Sequence, residues 1–183
     1  KVPVVSMITD EDNLFDNETG IYVAGKYENY NQHWAKWERD AHIEIFDSAG
    51  VQIIDQDGGM RIHGRGSRRA DQKSFRLYAD AEYGKAYFDY PLFKQKPDIE
   101  RYEVILMRTT AATRGPVFKE ELCNNLVQGM NIDYNAGETA ILFLNGEYWG
   151  IYNLMERQNE EYIKANYKVD DPQADIVAYD WGL

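Results

Sequence analysis

The stretch from Arg61 to Tyr78, RIHGRGSRRADQKSFRLY, concentrates side chains that could handle an anion. Gly64 and Gly66 let the backbone turn with its N–H groups exposed, while Arg65, Ser67, Arg68, Arg69 and Lys73 add a hydroxyl and cations suited to phosphate. Apolar alternation on both sides marks the loop as a connection between two strands. The competing explanation is a solvated hairpin whose arginines keep the chain soluble. A short Gly/Arg loop does not decide between the two, so the elements around it must.

Those elements belong to an acidic, globular chain. Its 183 residues carry a formal net charge of -11 and are 44% hydrophobic, which predicts one compact domain and disfavours nonspecific contact with nucleic acid or anionic membrane. Cys123 is the sole cysteine, so no intrachain disulfide forms, and a buried thiol on an apolar helix face is expected. His33, His42 and His63 lack metal-ligand spacing, and no metal site is expected. No apolar run reaches membrane-spanning length. The chain opens and closes near strand-like segments, which suggests a piece of something longer.

Along the chain, Val2 to Thr9 reads as a strand, followed by turn-rich loops in which Trp34 and Trp37 are expected to anchor an arm over a core edge. Strand patterns follow at Ala41 to Phe46, Val51 to Ile54, Gly59 to His63, Gln72 to Tyr78 and Tyr102 to Arg108, with short connections that favour antiparallel pairing. Residues 81–100, rich in aromatics and holding Pro91 and Pro97, suggest a long packed loop.

Pro116 suits a first helical position, and Phe118, Leu122, Leu126 and Met130 recur every four residues beyond it. This predicts an amphipathic helix with that stripe packed on the sheet, Lys119 within the stripe, Glu120 at its border and Glu121 in solvent. Thr139 to Leu144 and Tyr148 to Met155 predict a hairpin through Asn145-Gly146. Asn159 is a candidate cap for a short helix, and Asp175 to Tyr179 for a last strand.

Strand, Gly-rich loop, strand, strand, helix, strand, strand, break, helix is the element order of the amino-terminal lobe of protein-kinase-like folds. The expected fold class is therefore α+β: a mostly antiparallel sheet with one packed amphipathic helix, followed by a hinge. Residues 1–40 would form a wrapping arm, 41–155 the lobe, and 156–183 the hinge and the start of a next lobe. Such a lobe needs a phosphate loop (Gly64, Arg65, Gly66, Ser67, Arg68), a sheet cation, a helix carboxylate to orient it (Glu120) and a hinge whose backbone binds adenine (Leu154, Met155, Glu156, Arg157). Position in the order favours Arg108 as the cation, and proximity to the loop favours Lys73.

The sequence also resembles the spore-coat CotH kinases over nearly its whole length. The likeness is carried by LFDNETGIYV (14–23), WERDAHIEIFD (37–47), GMRIHGRGSRRADQKSFRLY (59–78), Tyr83-Gly84, YPLF (90–93) and, most specifically, NGEYWGIYNLMER (145–157). The resemblance implies an atypical kinase-like fold, binding of ATP with Mg2+, phosphoryl transfer to a protein hydroxyl, and a secreted, cell-surface or spore-coat setting. It departs at Lys119-Glu120, where the family often has Arg followed by an acidic or amide residue, and this weakens any bidentate contact there. The family's catalytic aspartate and metal-binding acidic segment are expected downstream of the hinge, beyond this chain. Asp170, Asp171, Asp175 and Asp180 are expected to be solvated loop acids, so the chain by itself should bind nucleotide weakly and not turn over.

The leading expectation is thus a nucleotide-binding portion of an ATP-dependent protein kinase whose partner is a protein substrate. The alternative is a coat or surface interaction module on the same scaffold, since fold does not fix function. Glycoside hydrolysis ranks last, because no motif sets two carboxylates across a cleft.

Overall fold

The computed structural model describes residues 1–110, 115–169 and Ile176. Its strands are β1 (Val4–Ile8), β2 (Arg39–Phe46), β3 (Gln52–His63), β4 (Ser74–Tyr78), β5 (Phe88–Asp89), β6 (Arg101–Tyr102), β7 (Val104–Arg108), β8 (Gly137–Leu144) and β9 (Glu147–Glu156). Three short helices accompany them: α1 (Glu11–Phe15), α2 (Lys119–Leu126) and α3 (Glu160–Tyr167).

Seven strands close into a barrel in the order β1-β2-β3-β4-β7-β9-β8, with β5 and β6 forming a separate ribbon. Every barrel pair is antiparallel except β1 with β8, where Val4 to Met7 run parallel to Ile141 to Leu144 and close the sheet. Closure leaves the barrel itself, as formed by the described residues, without an edge strand. Strand alternation sends Met60, Ile62, Phe75, Leu77, Ile105, Met107, Tyr152 and Leu154 into the interior. The intervening residues Arg61, His63, Arg76, Tyr78, Leu106, Arg108, Asn153 and Met155 therefore face outward on adjacent strands.

This architecture overturns the expected α+β lobe. The sheet is a closed barrel, and among the described residues the helices are few and short and no amphipathic helix packs its apolar stripe on the sheet. Phe118, Leu122 and Leu126 are 55%, 49% and 66% exposed, and Met130 and Cys123 are exposed with them. The half-buried residues of this segment are Val117, Glu120, Glu121, Asn124 and Val127, at helical spacing. The helix faces the barrel with its polar side.

Charge and hydrogen bonding explain that choice. Glu121, expected in solvent, accepts from the Thr139 backbone N–H (3.1 Å) and hydroxyl (2.8 Å) on β8. Asn153 on β9 donates from Nδ2 to the Val117 carbonyl at 2.7 Å. The receiving sheet surface is polar and cationic, so carboxylates on the helix satisfy it better than leucines.

Other expectations fare variously. The Asn145-Gly146 hairpin is present, with φ of 51° and 81° that fit a two-residue turn. Asn159 caps α3 by accepting from the Tyr162 N–H. The two strands expected at 51–54 and 59–63 are one continuous β3, crossing Gly58-Gly59. Gly59 is required by close approach: a Cβ there would meet the Glu38 carboxylate at 2.3 Å. Trp37 is buried, as an anchor should be, whereas Trp34 is exposed. The expected strand at Asp175 to Tyr179 lies outside the described residues.

Candidate anion-binding face

The outward face of β3, β4, β7 and β9 carries a cationic cluster in an acidic protein. Register places Arg61 opposite Arg76, His63 opposite Ser74, Arg76 opposite Leu106, Leu106 opposite Met155 and Arg108 opposite Asn153. Leu106 and Met155 are buried yet stand apart from the barrel's interior cluster, forming an apolar step beside the cations. Arg157, just past β9, adds a further guanidinium that burial and the neighbouring Arg76 push below the usual arginine pKa.

Each cation is held differently. Arg61 pairs with Glu38 at 2.6 Å and lies over the Tyr78 ring, 4.4 Å from its centroid. Arg76 donates from Nη1 to the Tyr78 hydroxyl (3.0 Å) and from Nη2 to His63 Nδ1 (3.2 Å), and its buried Nε has no partner. Arg108 meets Glu120 of α2 at 3.0 Å, while the second Glu120 oxygen and Asn153 Oδ1 are buried without partners. Neither Arg76 nor Arg157 has a carboxylate in salt-bridge range among the described residues.

His63 records the resulting field. Burial, then the guanidiniums of Arg76, Arg108, Arg157 and Arg68, push its pKa down to about 3. An imidazole so far below its usual range shows a locally positive, poorly solvated surface. Such surfaces attract anions.

The sequence-derived candidates divide sharply. Arg108 and Glu120 come together on this face. Lys73 does not join them: its ammonium is 2.7 Å from the Ala70 carbonyl and lies over the rings of Tyr22 and Tyr30. Arg68 is equally committed, donating to the carbonyls of Gly64, Tyr30 and Gln32. These two residues staple the loop to the arm. The loop itself winds into a 3-10 turn over Gly66–Arg69, with Gly64 at φ 111° and Ser67 folded against it, while Arg65 and Gly66 are exposed. The open phosphate cradle expected at Gly64 to Arg68 is thus a packed turn.

The hinge expectation also needs correction. Leu154, Met155 and Glu156 are strand residues paired to β7 on one side, and Leu154 and Met155 also to β8 on the other; the Glu156 N–H bonds the Ala136 carbonyl. Their backbone is committed to the barrel. The Glu156 carboxylate is buried against Lys96 at 2.7 Å and the Ala136 N–H at 2.7 Å; burial raises its pKa, and the Lys96 contact lowers it. Of the three, Met155 alone contributes to the outer face, through its side chain.

Sequence reasoning missed His63 and Arg76, and gave Arg157 only a backbone role in the hinge. The signal was available for two of them, because in RIH and SFRL the apolar residues alternate with Arg61, His63 and Arg76. Pairing the strands places all three on one face.

With this geometry in hand, comparison with known families is informative. The family model for CotH kinase protein matches residues 60–182, well over half of the chain and inclusive of every cation on this face. The chain belongs to the CotH kinase family. No curated protein matches it.

Among the described residues, no group of three or more His, Cys, Asp or Glu side chains is placed to hold a metal ion, and no helix is long and apolar enough to cross a membrane.

Proposed function

We propose that the outer face of β3, β4, β7 and β9 binds the phosphates of ATP, and that the chain contributes this nucleotide site to phosphoryl transfer onto a protein hydroxyl. One observation carries the proposal: Arg76 and Arg157, two guanidiniums with no carboxylate in salt-bridge range among the described residues, converge with Arg108 on one half-buried surface of a chain whose net charge is -11. Clustered cations that the protein leaves unneutralised are suited to a polyanion.

In this arrangement Arg76, Arg108 and Arg157 hold the phosphates. Glu120 orients Arg108 through one oxygen, as a helix carboxylate orients the phosphate-binding cation in phosphotransferases. ATP supplies the transferred phosphoryl group, and these side chains position it and balance its charge. No magnesium ligand set is assigned, because the described residues bring no cluster of carboxylates to this face.

Saturation-transfer NMR and calorimetry on the 183-residue chain test the proposal with ATP, tripolyphosphate and adenosine as probes. Arg76→Gln and Arg108→Gln should each weaken ATP and tripolyphosphate about tenfold, in line with loss of a charged hydrogen bond, and leave adenosine unchanged. Equal weakening of ATP and adenosine would place the phosphates elsewhere.

A further inference from the structure

The contact between His63 and Arg76 has a chemical direction. A guanidinium only donates, so at 3.2 Å from Arg76 Nη2 the His63 Nδ1 must accept, and the imidazole carries its proton on Nε2 alone. His63 is therefore a neutral keeper in a cationic ring. The charged groups that face it come from every neighbouring element: Arg68 from the loop after β3, Arg76 from β4, Arg108 from β7 and Arg157 beyond β9. None of the four is an anion, and protonating His63 here would add another positive charge while breaking its bond to Arg76.

An anion on the face reverses both costs. Its charge offsets the guanidiniums, and its oxygens accept from an imidazolium and from the Arg76 group that the imidazolium releases. We propose that His63 is a positioning residue that parks Arg76 while the face is empty and, when an anion arrives, takes up one proton from solvent and frees Arg76 to bind it. No covalent bond changes; the proton moves from water to Nδ1. This rests on the phosphate reading above and adds to it a coupling between anion affinity and pH.

Linkage fixes the sign. If the bound form holds one proton more than the free form, affinity rises as pH falls, and the anion raises the His63 titration midpoint by the corresponding amount.

Sulfate is the appropriate probe, since it does not titrate between pH 5 and 8. In the wild-type chain, sulfate affinity should rise at least about threefold more between pH 7 and 5 than in His63→Gln, which keeps an acceptor for Arg76 but cannot gain a proton. In parallel, nitrogen-detected NMR of the wild-type ring should show Nδ1 unprotonated at pH 5 without sulfate, and its midpoint moved up by more than about two units with it, the rise that a threefold gain at pH 5 requires. Identical pH dependence in both proteins, with an unmoved ring titration, would overturn the role of His63 and leave the phosphate face standing. Sulfate that leaves the resonances of Arg76, Arg108 and His63 unperturbed at every pH would overturn both.

Discussion

Arg61 and Arg76 stand directly opposite each other across the β3–β4 ladder, and both guanidiniums lie over the ring of Tyr78, at 4.4 and 5.9 Å from its centroid. Like charges in direct cross-strand register destabilise a sheet. Glu38 neutralises Arg61, whereas the partners of Arg76 among the described residues, Tyr78 and His63, are neutral. The protein tolerates a repulsive pair at the place where it would meet an anion.

That pair separates function from stability. Arg76→Gln is expected to leave stability unchanged or raise it by up to about 1 kcal/mol, by removing like-charge repulsion, while ATP affinity falls. Urea denaturation beside ligand titration checks this. A large loss of stability would mean that Arg76 is mainly a structural staple.

How much of this was legible beforehand depends on whether the signal was local. The Asn145-Gly146 hairpin and the Asn159 cap are set by residues within a few positions of each other, and both are present. The orientation of α2 was not, because the Phe118, Leu122, Leu126 periodicity describes the helix and not what it meets; a polar, cationic sheet face selected the Glu120–Glu121 side instead. Barrel closure was equally hidden, since β1 and β8 pair across most of the chain with no turn between them to read. At the site, Arg108 and Glu120 followed from element order, but Lys73 and Arg68 were claimed by Tyr22, Tyr30 and Gln32 of the arm, partners about 40 to 50 positions away in sequence.

The inverted helix makes an unusual pair of mutations informative. Glu121→Ala should cost about 1–3 kcal/mol, because the Thr139 N–H and hydroxyl lose their acceptor. Leu122→Ala, by contrast, should change stability by less than about 0.5 kcal/mol, as is usual for an exposed position. Denaturant midpoints would distinguish this from the conventional order, in which the leucine matters and the glutamate does not.

Lys96 and Glu156 form an ion pair whose side chains are only 10% and 3% exposed. Lys96 also reaches the Tyr134 carbonyl and lies over the rings of Tyr134 and Tyr162, so it joins β9, α3 and the 133–136 segment. Lys96→Met should cost about 3–5 kcal/mol by stranding a buried carboxylate, and adding Glu156→Gln should recover part of it. Additive losses in the double variant would show that the two residues act independently.

His63 should also shape stability against acid. Its folded pKa, about 3, lies below the unfolded value near 6.5, so the unfolded state binds the extra proton in between and stability falls as pH drops through that window. The loss attributable to His63 between pH 8 and 5 is about 2 kcal/mol. His63→Gln should remove that component, seen as a shallower fall in unfolding free energy over the same range. His42 has the opposite sign: its contacts with Asp57 and Asp55 raise its pKa, so its contribution is full below the unfolded value and is lost as pH rises through the folded one.

The parallel seam between β1 and β8 sets an order of events when the chain is made. Val4 to Met7 leave the ribosome well before Ile141 to Leu144 and cannot pair with them until the chain between has followed. Until then the incomplete sheet presents two open edges, β1 on one side and β7 on the other. Long-range pairing of this kind is slow, and unpaired edges recruit other chains. The first strand acts as the latch of the barrel, and nascent chains stalled before residue 141 are the ones that would need a chaperone.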